Sequence, residues 1–141
     1  MMKNRWPIWM TALILASPIY ANSTPSFSLP NYSNWHQTLN NKVGNVQIQQ
    51  IVPQTETMSN WKQMLSTQVI DNTAEKPTAF MEKMIASMKN GACKKIKQQQ
   101  YPKNSLQGHQ MSRVTVECVK ENNNREIIHM QVIQANNKLF V

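Results

Sequence analysis

Through much of the second half of the chain, apolar and polar residues alternate with a period of two. Over 110–120, Val114, Val116 and Cys118 fall on one side and Arg113, Thr115 and Glu117 on the other, the pattern of a half-buried strand. Over 125–134 the pattern repeats, with Ile128, Met130 and Val132 on one face. Between them, Glu121-Asn122-Asn123-Asn124 predicts a hairpin turn, because asparagine tolerates positive φ. Asn136-Asn137 predicts a second turn, into a strand over 138–141. The chain closes on Leu139-Phe140-Val141, an apolar strand that asks either for a covered, central place or for a domain that runs on.

The first half mixes periods. Over 43–52, Val46 and Ile48 oppose Gln47 and Gln49, and Pro53, which cannot donate to a ladder, ends the strand. A short strand or helical turn is expected at 35–39, followed by a turn at Asn40-Asn41-Lys42. Over 57–70, Trp61, Met64, Leu65, Gln68 and Val69 recur at helical spacing, with Thr57 or Ser59 in capping position, which predicts a helix with Trp61 and Met64 as core anchors. A second helix is predicted over 77–90, opened by Pro77, closed by Gly91, and buried through Phe80, Met81, Met84, Ile85 and Met88. Residues 92–100 read as a strand and 102–108 as a loop. The sum is α+β: an antiparallel sheet of about four to six strands with two helices packed on one face, in the order β-α-α-β-β-β.

The N-terminus changes the setting. Lys3 and Arg5 precede an apolar run, Ile8 to Ala16, and Ser17-Pro18-Ile19-Tyr20-Ala21 suits cleavage. That run is about half the ~20 residues of a membrane span. The expected organisation is an export signal at 1–21, an extended lead-in at 22–34, and one α+β domain at 35–141, in a protein that is periplasmic or secreted. Cleavage leaves 13 basic residues against 7 acidic ones, a net charge of +6. In an oxidising compartment the only two cysteines, Cys93 and Cys118, are expected to pair.

The segment from Pro53 through Trp61-Lys62-Gln63-Met64-Leu65-Ser66-Thr67-Gln68 resembles one found in small exported bacterial proteins of uncharacterised function. There a proline, a polar turn, a tryptophan and a Met-Leu-Thr-x-Gln-like run join a strand to the first helix; Ser66 takes the threonine's place here. The resemblance implies a sheet-plus-helices domain similar to the oxygen-evolving-complex P-subunit type. It implies no activity and carries over no catalytic residue.

Catalytic groups are sparse. His36, His109 and His129 show no metal-ligand spacing, and two cysteines do not make a zinc site. Asp71 is explained by turn chemistry, and Glu75 and Glu82 each have a lysine neighbour. No nucleophile elbow or phosphate loop is present, so the reading leans away from an enzyme and assigns no catalytic residue, cofactor or metal. What remains is a cluster of lysines: Lys89, Lys94, Lys95, Lys97 and Lys103, with Tyr101 nearby. These are the candidate anion-binding residues, suited to lipid head groups or lipopolysaccharide; lysines on a solvated edge strand are the plainer explanation. After cleavage the only arginines are Arg113 and Arg125, which argues against nucleic acid. The expected function is thus an exported, non-catalytic binding protein that contacts an anionic lipid or polysaccharide surface. The alternative is a secreted host-directed or envelope factor acting through a protein–protein surface, and a small hydrolase ranks third.

Overall fold

The computed structural model describes residues 31–102 and 105–141. The export signal expected at 1–21, residues 22–30 of the expected lead-in and Lys103 lie outside the described residues. In chain order the elements are β1 (Trp35–Val43), β2 (Val46–Pro53), β3 (Leu65–Ile70), α1 (Pro77–Asn90), β4 (Lys95–Gln100), β5 (Ser105–Leu106), β6 (His109–Val119), β7 (Arg125–Ala135) and β8 (Lys138–Phe140). The eight strands make one antiparallel sheet in the order β1-β2-β3-β8-β7-β6-β4, with the short β5 paired to β6.

This corrects the expected fold class. There is one helix among the described residues, not two, and the sheet has eight strands where four to six were expected. The helix expected over 57–70 is a loop followed by β3. Its stripe joined residues of two different conformations. Thr67, Val69 and Ile70 are β-branched and favour a pleated surface over a helix. Residues Leu65 to Ile70 each face a partner on β2, from Ile51 to Val46. The loop before them has its own ties. The Glu56 carboxylate accepts hydrogen bonds from the backbone amides of Lys62 and Gln63, at 2.6 and 3.1 Å, a local bond that competes with helix formation.

The turns follow side-chain chemistry. β1 runs on through Asn40-Asn41-Lys42, where a turn was expected, and the chain reverses instead at Gly44-Asn45, with Gly44 at φ 59°. Asn136 and Asn137, at φ 50° and 57°, make the two-residue β7–β8 turn. Asn123, at φ 62°, serves the β6–β7 hairpin. Of these three reversals, glycine supplies the left-handed residue in one and asparagine in two.

Helix α1 lies across one face of β6 and β7. Met81 and Ile85 pack there with Val114, Val116, Met130, Val132 and Leu139, while Phe80, Met84 and Met88 flank them half-buried. The opposite face has a smaller cluster of Met111, Ile133, Ala135 and Phe140, joined by Val69. Both faces are therefore apolar around β8. Further along β6 and β7, the face away from α1 becomes polar and open.

Cys93 and Cys118 form a disulfide with Cα atoms 5.2 Å apart, tying the connection between α1 and β4 to the buried face of β6. The loop it closes, spanning a sequence separation of 25, removes about 3.5 kcal/mol of unfolded-state entropy in the chain-entropy model. Replacing both cysteines with alanine is expected to lower unfolding free energy by about 3 kcal/mol, read from urea unfolding with midpoint and slope both fitted. A loss under about 1 kcal/mol would mean that α1 and β4 are held by packing alone.

Candidate functional site

The sheet contains a gap. Strand β8 joins β3 to β7, but it is only three residues long. On one side it pairs with Val69 and Ile70, and Val141 extends the pairing through two 2.8 Å backbone hydrogen bonds with Gln68. On the other side it pairs with Ile133, Gln134 and Ala135. Beyond these rungs, Leu65 to Thr67 of β3 and Glu126 to Gln131 of β7 line a shared cleft, with no strand between them among the described residues.

Hydrogen-bonding direction alternates along an antiparallel strand. Gln68 bonds toward Val141, so the amide and carbonyl of Ser66 point the same way, into the gap. On β7, Ile133 bonds toward β8, so Gln131, His129 and Ile127 aim their backbone groups into the gap from the other side. The directions on β6 agree: the carbonyls of Arg113 and Val119 accept bonds from the β4 side, which leaves Val114 and Val116 to bond Met130 and Ile128.

The gap encloses about 510 Å³. Met84 and Met88 of α1 border it on the helix side, and Trp61 and Met64 of the β2–β3 loop border it at the end marked by Leu65. Trp61 and Met64, expected as core anchors, are half-buried rim residues instead. Ile127 stands beside the gap 66 % exposed, a large apolar side chain on a strand without cover.

On the face away from α1, a polar row leads up to the gap. The Tyr101 hydroxyl lies 3.1 Å from Thr115 Oγ1, which lies 2.8 Å from His129 Nδ1. The Arg113 guanidinium stacks over the Tyr101 ring at 4.6 Å, a cation–π contact that fixes the outer end. Thr115 and His129 are cross-strand partners, which is why the row is straight. His129 Nε2 has no partner among the described residues. Among the described residues no carboxylate bonds His129, and the row presents hydroxyl and imidazole groups able to hydrogen-bond a ligand.

Four of the five candidate lysines lie among the described residues. Lys95 and Lys97 stand on the open face of the edge strand β4, opposite Val119 and Glu117, and no ion pair holds either among the described residues. Lys94 lies 3.9 Å from Glu121, and Lys89 sits in the last turn of α1. Glu117 pairs with Arg125 at 3.3 Å, so the second arginine serves the sheet. No group of three or more histidine, cysteine or acidic side chains able to hold a metal occurs among the described residues. Among them, too, no helix is long and apolar enough to cross a membrane.

The gap was not found from sequence. Its one legible trace is the mismatch between a strand expected over 125–134 and a return strand of only 138–141. No protein-family model, curated protein or solved structure matches the chain.

The two amide bonds it accepts hold the Glu56 carboxyl below the usual glutamate range, since both favour the ionised form. A lowered folded-state pKa means that this tie is fully present above the unfolded value, about 4.3, and is lost as pH falls through the lower folded one. Amide chemical shifts of Lys62 and Gln63 are therefore expected to titrate together below the usual glutamate value. The titration should vanish in Glu56→Gln. Shifts that move independently of each other would show that Glu56 does not hold the loop that carries Trp61.

Proposed function

We propose that the protein is an exported, non-catalytic binding module whose binding site is the gap between β3 and β7 and whose ligand is a polypeptide. This is the protein–protein reading of the sequence, given a specific place. One observation carries it: an apolar, half-buried cleft bordered by backbone hydrogen-bonding groups from two strands. A small apolar ligand would leave those groups to water, whereas a polypeptide satisfies both the apolar side and the polar walls. The exposed Ile127 beside the gap adds apolar area that a bound chain would cover.

Selection of random heptapeptides against the oxidised protein tests this reading. Enriched peptides are expected to bind Met88→Gln at least tenfold more weakly, the loss of roughly half a buried apolar contact. Thermal unfolding of that variant should stay close to that of the parent, because Met88 is only half-buried. Peptides that bind parent and variant alike, or a selection that enriches nothing, would overturn the reading.

A second reading rests on Lys95 and Lys97, which lie two residues apart on one face of an edge strand with no ion pair to neutralise them. They would meet anionic lipid or lipopolysaccharide phosphates as point charges. Binding to vesicles containing phosphatidylglycerol should then weaken steeply between low and physiological salt, within the range where the Debye length shrinks to about 8 Å. Replacing Lys94, Lys95 and Lys97 with glutamine should abolish it. Binding indifferent to salt and to the triple variant would leave these lysines the role of keeping β4 from pairing edge to edge.

A further inference from the structure

We infer that the open face of β4, β6 and β7 is a phosphate-binding site, with Arg113, Gln131 and His129 as its donors; this site stands on its own residues and does not rest on the gap being occupied. Strand register builds it. β4 and β6 pair Gln99 with Thr115, and Tyr101 extends the pairing by donating its backbone amide to the Arg113 carbonyl at 3.1 Å. β6 and β7 pair Arg113 with Gln131 and Thr115 with His129. Directly opposed side chains share a face. Val114 and Val116 belong to the core under α1, so Tyr101, Arg113, Thr115, His129 and Gln131 stand on the other side of the sheet. There they line an open hollow of about 350 Å³.

Three of these side chains have donors that no group among the described residues takes up. Arg113 makes no ion pair there; its guanidinium meets only the Tyr101 ring. An aromatic face fixes the cation in place without offering a lone pair, which leaves its N–H fork to a ligand. The Gln131 side chain has no hydrogen bond among the described residues. His129 engages Thr115 through Nδ1 alone. When the Tyr101 hydroxyl donates to Thr115 and the Thr115 hydroxyl donates to Nδ1, the ring hydrogen sits on Nε2 and is free to donate. The one carboxylate on this face of β4, β6 and β7, Glu117, is paired with Arg125. A guanidinium, an amide and an imidazole N–H thus border one hollow with no negative charge beside them.

That donor set fits a phosphate better than a carboxylate. A carboxylate has two oxygens, and a guanidinium fork satisfies both by itself. Here the donors come from two successive rungs of one face, about 7 Å apart along the strands. A phosphate monoester has three terminal oxygens, two for the fork and one for the imidazole. Lys95 and Lys97 share this face, but Lys97 lies four positions before Tyr101, about 13 Å along an extended chain. That exceeds the Debye length of about 8 Å at physiological salt. The lysines draw anions toward the face; Arg113 and His129 hold one.

The test titrates methyl phosphate into the oxidised protein at physiological salt and follows side-chain nitrogen signals by NMR. The Arg113, Gln131 and His129 signals are expected to move on one binding curve, with His129 settling in its Nε2–H form. Arg113→Gln and Arg113→Lys, the second of which keeps the charge and loses the fork, are each expected to weaken binding about tenfold or more. Replacing Lys95 and Lys97 together with glutamine is expected to weaken it less than about twofold. All three positions are exposed, so urea unfolding of these variants should match the parent. Vesicles with and without phosphatidic acid separate the sources of the phosphate. Arg113-dependent binding to those vesicles without a response to methyl phosphate identifies a lipid head group, and an Arg113-dependent response to methyl phosphate identifies a site that also takes a soluble ester. A lysine variant as weak as Arg113→Gln would reveal diffuse surface charge and overturn the inference. So would binding indifferent to Arg113, acetate moving the same signals equally at equal concentration, or a response to neither probe.

Discussion

The structure depends on the pairing of β8. The three-stranded run β1-β2-β3 and the run β7-β6-β4 meet nowhere else in the sheet. A three-residue strand joins them, with Leu139 turned under α1 and Phe140 turned to the opposite cluster. Both side chains are buried, Leu139 completely. A strand so short is marginal by itself. It holds because each of its faces meets an apolar cluster and the Asn136-Asn137 turn fixes its register to β7 without strain. Lys138 adds a 2.8 Å ion pair to Asp71 at the end of β3, which keeps that carboxyl below the usual aspartate range.

The wall strands continue past the rungs of β8, and among the described residues no strand pairs with their inward backbone groups. An open cleft lets water satisfy such groups, so they carry no penalty of the kind a dry orphaned amide would. On the proposed reading, a bound polypeptide gains little net energy from each hydrogen bond and more from apolar contacts with Met84, Met88 and Ile128.

Much of the second half was legible from sequence because β6 and β7 are buried on one face, where a one-residue slip would expose every core side chain. Val114, Val116, Ile128, Met130 and Val132 announce that face, and the asparagine turns announce the reversals. The disulfide was legible from the count of cysteines and the compartment expected from the sequence. Helix α1 was legible from Pro77, Gly91 and a stripe of five apolar residues. The helix expected at 57–70 failed because its stripe depended on placing Trp61 and Met64 in phase with Leu65 and Val69. The alternative phase is local: Glu56 captures two amides, and the β-branched end of the segment pairs with β2. Neither bond leaves a periodic mark. That Lys95 and Lys97 share one face of a strand was legible from the alternation of side chains, whereas the contact of Lys94 with Glu121 leaves no mark in the sequence.

Edges show why the gap differs from the rest of the sheet. β1 carries a bulge at Thr38, whose hydroxyl donates to the Gln50 carbonyl at 3.3 Å. β4 is made of Lys-Ile-Lys-Gln-Gln-Gln, exposed at every position but Ile96. Both are devices that discourage another strand from pairing. The gap has neither. Its walls are regular, its helix side is apolar, and Ile127 stands uncovered beside it. On the proposed reading, the guarded outer edges leave the cleft as the place where a polypeptide is held, between backbone groups of two strands and beside the apolar side chains of α1.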